Sequence, residues 1–241
     1  MIMKRFLFIS IILSVLISAC NQQEKSNGNI YSTAPEGAIV LFDGRDFSQW
    51  TNCDGGEVRW KIADGIMEVV PDSTYACKRI QGIMTKQLFN DFQLHVEFLL
   101  PESENTNSGV YIQRRYEVQI NDEYNAENSP GMGGSIYRQK IPDVNVSKPK
   151  GEWQTYDIIF RAARFDPADP AKKVENARIT VLHNNVVIHN NVIITTKTGV
   201  GDPEGPEPGP IMLQDHLAPV KFRNIWVIPN VPAETLPEVK K

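Results

Sequence analysis

Between Gly109 and Asp122 the chain reads GVYIQRRYEVQIND, and alternate residues in this run differ sharply in chemistry. In extended chain the side chains alternate, so Tyr111, Gln113, Arg115, Glu117 and Gln119 share one face while Val110, Ile112, Tyr116, Val118 and Ile120 share the other. Arg114 is the one misfit on the apolar face. A carboxylate set among a guanidinium, amides and a phenol places a proton acceptor beside hydrogen-bond donors. Glu117 can act as a general base, with Arg115 or His95 donating to a developing oxyanion. The same pattern also fits an ordinary half-exposed strand, in which Glu117 would form an ion pair with Arg115 or Arg138.

The elements that must position these residues read as strands. In Phe92–Leu100 the residues Phe92, Leu94, Val96, Phe98 and Leu100 alternate with Gln93, His95 and Glu97. The connection Pro101–Ser108 is short, which predicts an antiparallel neighbour and brings His95 and Glu97 beside Tyr111, Gln113 and Arg115. Further strands are expected at Ala38–Phe42, Arg59–Ile62, Ile66–Val70, Ile83–Thr85, Gly109–Ile120, Gly134–Arg138, Gln154–Ala162, Ala177–His183, Val186–Val192, Gly209–Gln214 and Val220–Ile228. So many strands, with no amphipathic helix of three turns, overfill one open sheet and predict an all-β, two-sheet jelly-roll sandwich. Asn184-Asn185 is a two-residue hairpin signal. Arg164–Lys173 reads as an inserted loop, and Gly199–Pro210, with four prolines, as a long ordered loop or lid.

The chain ends bound where the protein works. Lys4 and Arg5, an apolar run from Phe6 to Ile17 and then Ser18-Ala19-Cys20 form a signal peptide over residues 1–19. Cys20 follows as in a bacterial lipobox, so an exported protein is expected, lipid-anchored through Cys20 on a periplasmic or cell-surface face. Residues 20–37 read as a flexible tether, residues 38–229 as the domain and residues 230–241 as a tail. Loss of residues 1–19 leaves 222 residues with 23 basic and 29 acidic side chains, a net charge of −6 and no basic block for nucleic acid. Export permits a disulfide between Cys53 and Cys77, and the spacing does not require one. Asp122, Glu123 and Glu127 could take a structural Ca²⁺, although their spacing matches no EF-hand. No cofactor is expected: there is no HExxH, paired CxxC, GxSxG, P-loop or dinucleotide fingerprint. His183 and His189 flank the Asn-Asn turn and read as peripheral.

Taken in order, LFDGRDFSQW (41–50), NSGVYIQRRYEVQIND (107–122), GGSIYRQ (133–139), GEWQTYDIIF (151–160) and GPIMLQDHLAPVKFRNIWV (209–227) closely resemble the 3-keto-disaccharide hydrolase family. The likeness spans about residues 38–228. It implies a concanavalin-like jelly roll acting on glycosides oxidised at C3. The family's polar strand residues fall on Arg115, Glu117, Gln119 and Asp122, its aromatic after the Gly-rich turn on Tyr137, and its LQ-x-H element on Gln214 and His216. Leu217 stands where the family usually has Gly.

Retaining glucanases of this architecture carry three acids at alternate strand positions, and the corresponding pattern here is Glu117, Gln119, Asn121. That strand alone cannot supply the two carboxyl groups of retaining hydrolysis. A C3 ketone removes the difficulty, because it acidifies the C2 proton and permits β-elimination of the C1 substituent. That chemistry assigns Glu117 as base with His95 as the alternative, Arg115 and His216 as enolate or substrate donors, and Gln113, Gln119, Asp122, Tyr137, Trp153 and Gln214 as substrate binders. Its partner would be a 3-keto-glycoside, made upstream by a sugar 3-dehydrogenase. Two other readings stay open. A conventional glycosidase needs Glu97 or Asp122 as a second carboxylate, and a carbohydrate-binding module would stack sugars on Tyr111, Tyr137 and Trp153.

Overall fold

The computed structural model describes residues 34–231, apart from 75, 76, 78, 104, 105 and 128. The leader, Cys20 and most of the expected tether and tail lie outside the described residues. Within them the chain forms strands and no helix. In order these are β1 (Ile39–Phe42), β2 (Trp50–Asn52), β3 (Lys61–Ala63), β4 (Ile66–Glu68), β5 (Gly82–Thr85), β6 (Phe92–Leu99), β7 (Asn107–Ile112) and β8 (Tyr116–Asn121). There follow β9 (Trp153–Arg161), β10 (Arg164–Asp166), β11 (Asp169–Glu175), β12 (Ala177–His183), β13 (Val186–Ile194), β14 (Met212–Gln214) and β15 (Lys221–Pro229).

An eight-stranded sheet runs β13-β12-β9-β6-β15-β4-β3, with β1 also paired to β15, and a five-stranded sheet runs β2-β5-β14-β7-β8. All ladders in both are antiparallel. The apolar residues of the alternating strands meet between them. Phe92, Leu94, Val96 and Phe98 of β6, Tyr156, Ile158 and Phe160 of β9, and Val110, Ile112, Val118 and Ile120 of β7 and β8 belong to one buried cluster. Each such side chain contributes about 1.5–3 kcal/mol on burial. The architecture is an all-β jelly roll.

Four expectations need correction. The run from Gly109 to Ile120 is not one strand but the hairpin β7–β8, turning through Gln113 and Arg114 at φ of 53° and 54°. The register pairs Tyr111 with Glu117 and Gly109 with Gln119, so the two-face pattern survives the turn. The second correction concerns β6, which pairs with β9 and β15 in the large sheet. β6 and β7 therefore belong to different sheets, and His95 and Glu97 do not join the polar face of β7–β8. Third, Arg164–Lys173 is no loop but enters the ribbon β10–β11, whose mostly exposed, polar residues carry no alternation signal. Fourth, Gly134–Arg138 is a turn with bridges only at Ile136, and Arg138 sits at φ 59°. The Asn184-Asn185 hairpin forms with both residues at positive φ.

A disulfide joins Cys53 to Cys77 with a Cα–Cα distance of 5.8 Å. Both cysteines pack with Ile80, Tyr111 and Met212 in a second apolar cluster. Tyr111 and Met212 pair across β7 and β14, so this cluster lies on the outer face of the five-stranded sheet, away from the main core.

Candidate active site

On that outer face lies a cleft of about 330 Å³, floored by Tyr111, Glu117, Gln119 and Gln214 and walled by Tyr137 and His216. Parity explains the floor. Odd-numbered residues of β7 and β8 face outward because 111 stands opposite 117, and Gln214 of β14 joins them because Met212 pairs with Tyr111.

Glu117 is 3% exposed. Its Oε2 accepts a hydrogen bond from the Tyr111 hydroxyl at 2.7 Å, and no cation pairs with it among the described residues. Burial raises its pKa to about 7, against the opposing pull of the Tyr111 bond. Tyr111 is itself shifted upward, first by burial and then by the Glu117 charge, so it stays a donor. Gly109, opposite Gln119, lies diagonally across the ladder, and a Cβ there would fall 2.6 Å from Glu117 Oε1. The glycine makes the space that the carboxylate occupies.

The walls come from loops that the hairpin anchors. Tyr137 N–H donates to the Glu117 carbonyl at 3.1 Å. Its ring stands against Gly199, whose built Cβ would come within 3.1 Å of it. The Arg138 guanidinium carbon lies 5.1 Å from the centre of the Tyr137 ring, and Arg138 also lines the cleft. Asn107, Gly199 and Val200 complete the lining. Gln119 Oε1 and Gln214 Oε1 are buried without a hydrogen-bond partner among the described residues. Such acceptors suit ligand hydroxyls.

The structure thus brings together Glu117, Gln119, Tyr137, Gln214 and His216, and leaves the other expected residues elsewhere. Arg115 is turned away from the cleft. Its guanidinium donates to Pro203 and Glu207 carbonyls at 3.2 and 3.1 Å and to Gln113 Oε1 at 2.9 Å, holding the proline-rich loop. Gln113 lies in the hairpin turn and donates to the Phe89 carbonyl at 2.9 Å. Asp122 forms an ion pair with Lys150. Trp153 is on β9 of the large sheet, where the Arg223 guanidinium sits 3.9 Å above its ring.

His95, the alternative base, is fully buried in the large sheet. Its Nδ1 lies 2.7 Å from Asp157 Oδ1, and its ring stacks on Trp226. Burial opposes its protonation, but the bonds to Asp157 and Glu97 outweigh burial and raise its pKa. Glu97 bonds Arg223 and Asn224 beside it and is held at about 2: burial pulls upward, and the bonds from His95, Asn224 and Arg223 outweigh it. This is a structural ion cluster, remote from the cleft.

Sequence reasoning missed Arg138 and Asn107 as lining residues. Arg138 fell in a segment read as a strand, and Asn107 carried no signal beyond its place before the alternating run. Leu217 adopts φ 63°. That is the left-handed region, which favours glycine; Leu pays about 1–2 kcal/mol for it. No three His, Cys, Asp or Glu residues cluster as metal ligands among the described residues, and Asp122, Glu123 and Glu127 form no such group.

The model of the 3-keto-alpha-glucoside-1,2-lyase-like domain matches residues 37–228. A solved protein from Parabacteroides distasonis, described as a candidate glycosyl hydrolase, is 40% identical over 81% of this chain and 84% of its own, with a TM-score of 0.69. Two more from the same organism and under the same description share the fold. One is 19% identical with a TM-score of 0.63, over 81% of this chain and 95% of its own. The other is 22% identical with a TM-score of 0.52, over 79% and 98%. No curated protein matches the sequence. Family model and fold agree, and the chain, a glycoside-hydrolase-like jelly roll, belongs to the 3-keto-disaccharide hydrolase family.

Proposed function

We propose that the protein cleaves 3-keto-glycosides by keto-assisted elimination and rehydration. The observation that carries this reading is that, among the described residues, Glu117 is the one carboxyl group lining this first cleft, buried and with a pKa of about 7. A lone carboxyl of that kind fits proton abstraction near neutral pH and does not fit the two-carboxyl retaining mechanism. The second carboxylates a conventional glycosidase would need are elsewhere: Glu97 sits in the large sheet and Asp122 on Lys150.

In the proposed reaction Glu117 takes the C2 proton, and the C2–H electron pair moves into an enolate on the C3 ketone. Arg138 and His216, which take the donor role first given to Arg115 and His216, offset the charge on that oxygen. The C1–O bond then breaks and the aglycone leaves with a proton from solvent or from Glu117. Water adds to C1 of the enone and C2 is reprotonated, so the net reaction is hydrolysis. Gln119, Gln214 and Tyr137 hold ring hydroxyls.

Supply of the substrate falls to an oxidising enzyme upstream that converts the C3 hydroxyl to a ketone. The leader and Cys20 support work at a membrane surface outside the cytoplasm. Product analysis with a 3-keto-glucoside and its unoxidised parent tests the reading. Release of 3-keto-glucose from the first alone is expected, and turnover of the parent would establish a conventional glycosidase.

A further inference from the structure

Beside the first cleft lies a second of about 290 Å³, and the two share Val200, Gln214 and His216. The first sits over β14, β7 and β8, and the second over β14 and the start of β5, where Gln81 precedes Gly82. Neighbouring strands are 4.7–4.9 Å apart, so from β5 to β8 the outer face spans about 14 Å, room for two sugar rings end to end.

We propose that this second cleft is the leaving-group subsite and seats the second ring of a 3-keto disaccharide; the assignment rests on the reaction proposed above. Its chemistry is that of a hydroxyl-binding site. Asp215, 3% exposed, lines it. The Leu217 N–H donates to Asp215 Oδ1 at 2.8 Å, while Oδ2 is buried without a hydrogen-bond partner among the described residues. An acceptor left in that state is costly to bury, and a sugar hydroxyl donating to Oδ2 relieves the cost. Gln214 Oε1, at the junction of the two clefts, is unpartnered in the same way.

Arg79, exposed and without an ion pair among the described residues, adds donors to the lining, and Gln81 supplies both donor and acceptor. Val200 and Leu217, 51% and 55% exposed, flank His216 with apolar surface for the C–H face of a ring. None of the described lining residues but His216 is aromatic. Hydrogen bonding therefore dominates, and the subsite favours a hydroxylated aglycone over a phenyl one.

The test compares kcat/KM for 3-keto-glucosyl-glucose, in α- and β-linked forms, with kcat/KM for methyl 3-keto-glucoside, using the purified protein, Asp215→Asn and Arg79→Ala. The ratio of disaccharide to methyl glycoside should fall about ten-fold in each variant, the size expected for losing a hydrogen bond to a charged group. An unchanged ratio in both overturns the subsite and leaves the reaction standing. Arg79→Ala changes an exposed residue, so it decides the matter if Asp215→Asn does not fold. If the wild-type protein turns over neither substrate, the reaction fails and the subsite is read by calorimetry with unoxidised disaccharides and methyl glucoside. Weaker disaccharide binding in Arg79→Ala then supports it, and equal binding overturns it.

Discussion

Glu117 owes its raised pKa to burial rather than to a charged neighbour, and for the base proposed above two consequences follow at the scale of the residue. A base must be deprotonated, so kcat/KM should rise with pH through about 7. Glu117→Gln should lower kcat by about 10²–10⁴ with the fold retained, the range for removing a general base; full activity would remove Glu117 from catalysis. The stability consequence has the opposite sense. The folded state holds the proton until about pH 7, whereas the unfolded chain releases it in the ordinary carboxylate range. Stability from this group is thus fully present below that range and is lost as pH rises through about 7, a change of about 3 kcal/mol. Glu117→Gln should therefore stabilise the protein at pH 8 relative to wild type and change little at pH 5, as thermal unfolding at the two pH values would show. Tyr111→Phe removes the bond that opposes this shift and should move the acidic limb of the activity profile to higher pH.

At the scale of the element, the hairpin β7–β8 does two jobs, shaping the cleft and fastening the loop that walls it. Gly109→Ala would push a methyl into Glu117 Oε1 and should lower activity more than stability, since overpacking costs about 1–3 kcal/mol. Arg115 gives a sharper contrast. As a donor to the enolate its loss would cost about 10²–10³ in kcat. As the pin of the proline-rich loop, which the structure makes it, Arg115→Ala should chiefly raise KM and speed amide exchange in residues 198–209. The polar face of this hairpin was legible in the sequence because the paired residue numbers sum to an even value, as in Tyr111 with Glu117, so parity is preserved whether or not the strand turns. The turn itself was not, because Gln113-Arg114 lacks the Gly, Asn or Asp that marks left-handed backbone. His95 and Glu97 were misplaced for a related reason: alternation is identical in a strand that hairpins onto its neighbour and in one that hands the chain to the other sheet.

At the scale of the molecule, the sandwich devotes its inner faces to the core and one outer face to the site, so floor and core share strands. The all-β architecture was legible because nearly every core strand alternates, whereas β11, mostly polar and exposed, has no alternation to announce its ribbon with β10. The disulfide closes a loop of 24 residues beside the second cleft. In the chain-entropy model its reduction should cost about 3 kcal/mol, measurable by denaturant unfolding with and without reductant. The central claim is that a C2 proton leaves and returns. Turnover of a 3-keto-glucoside in D₂O, read by mass spectrometry and NMR against free 3-keto-glucose incubated alongside, tests it most directly. The account predicts one solvent deuterium at C2 of each newly released sugar, above the control; release of 3-keto-glucose with C2 still carrying its original proton would contradict it.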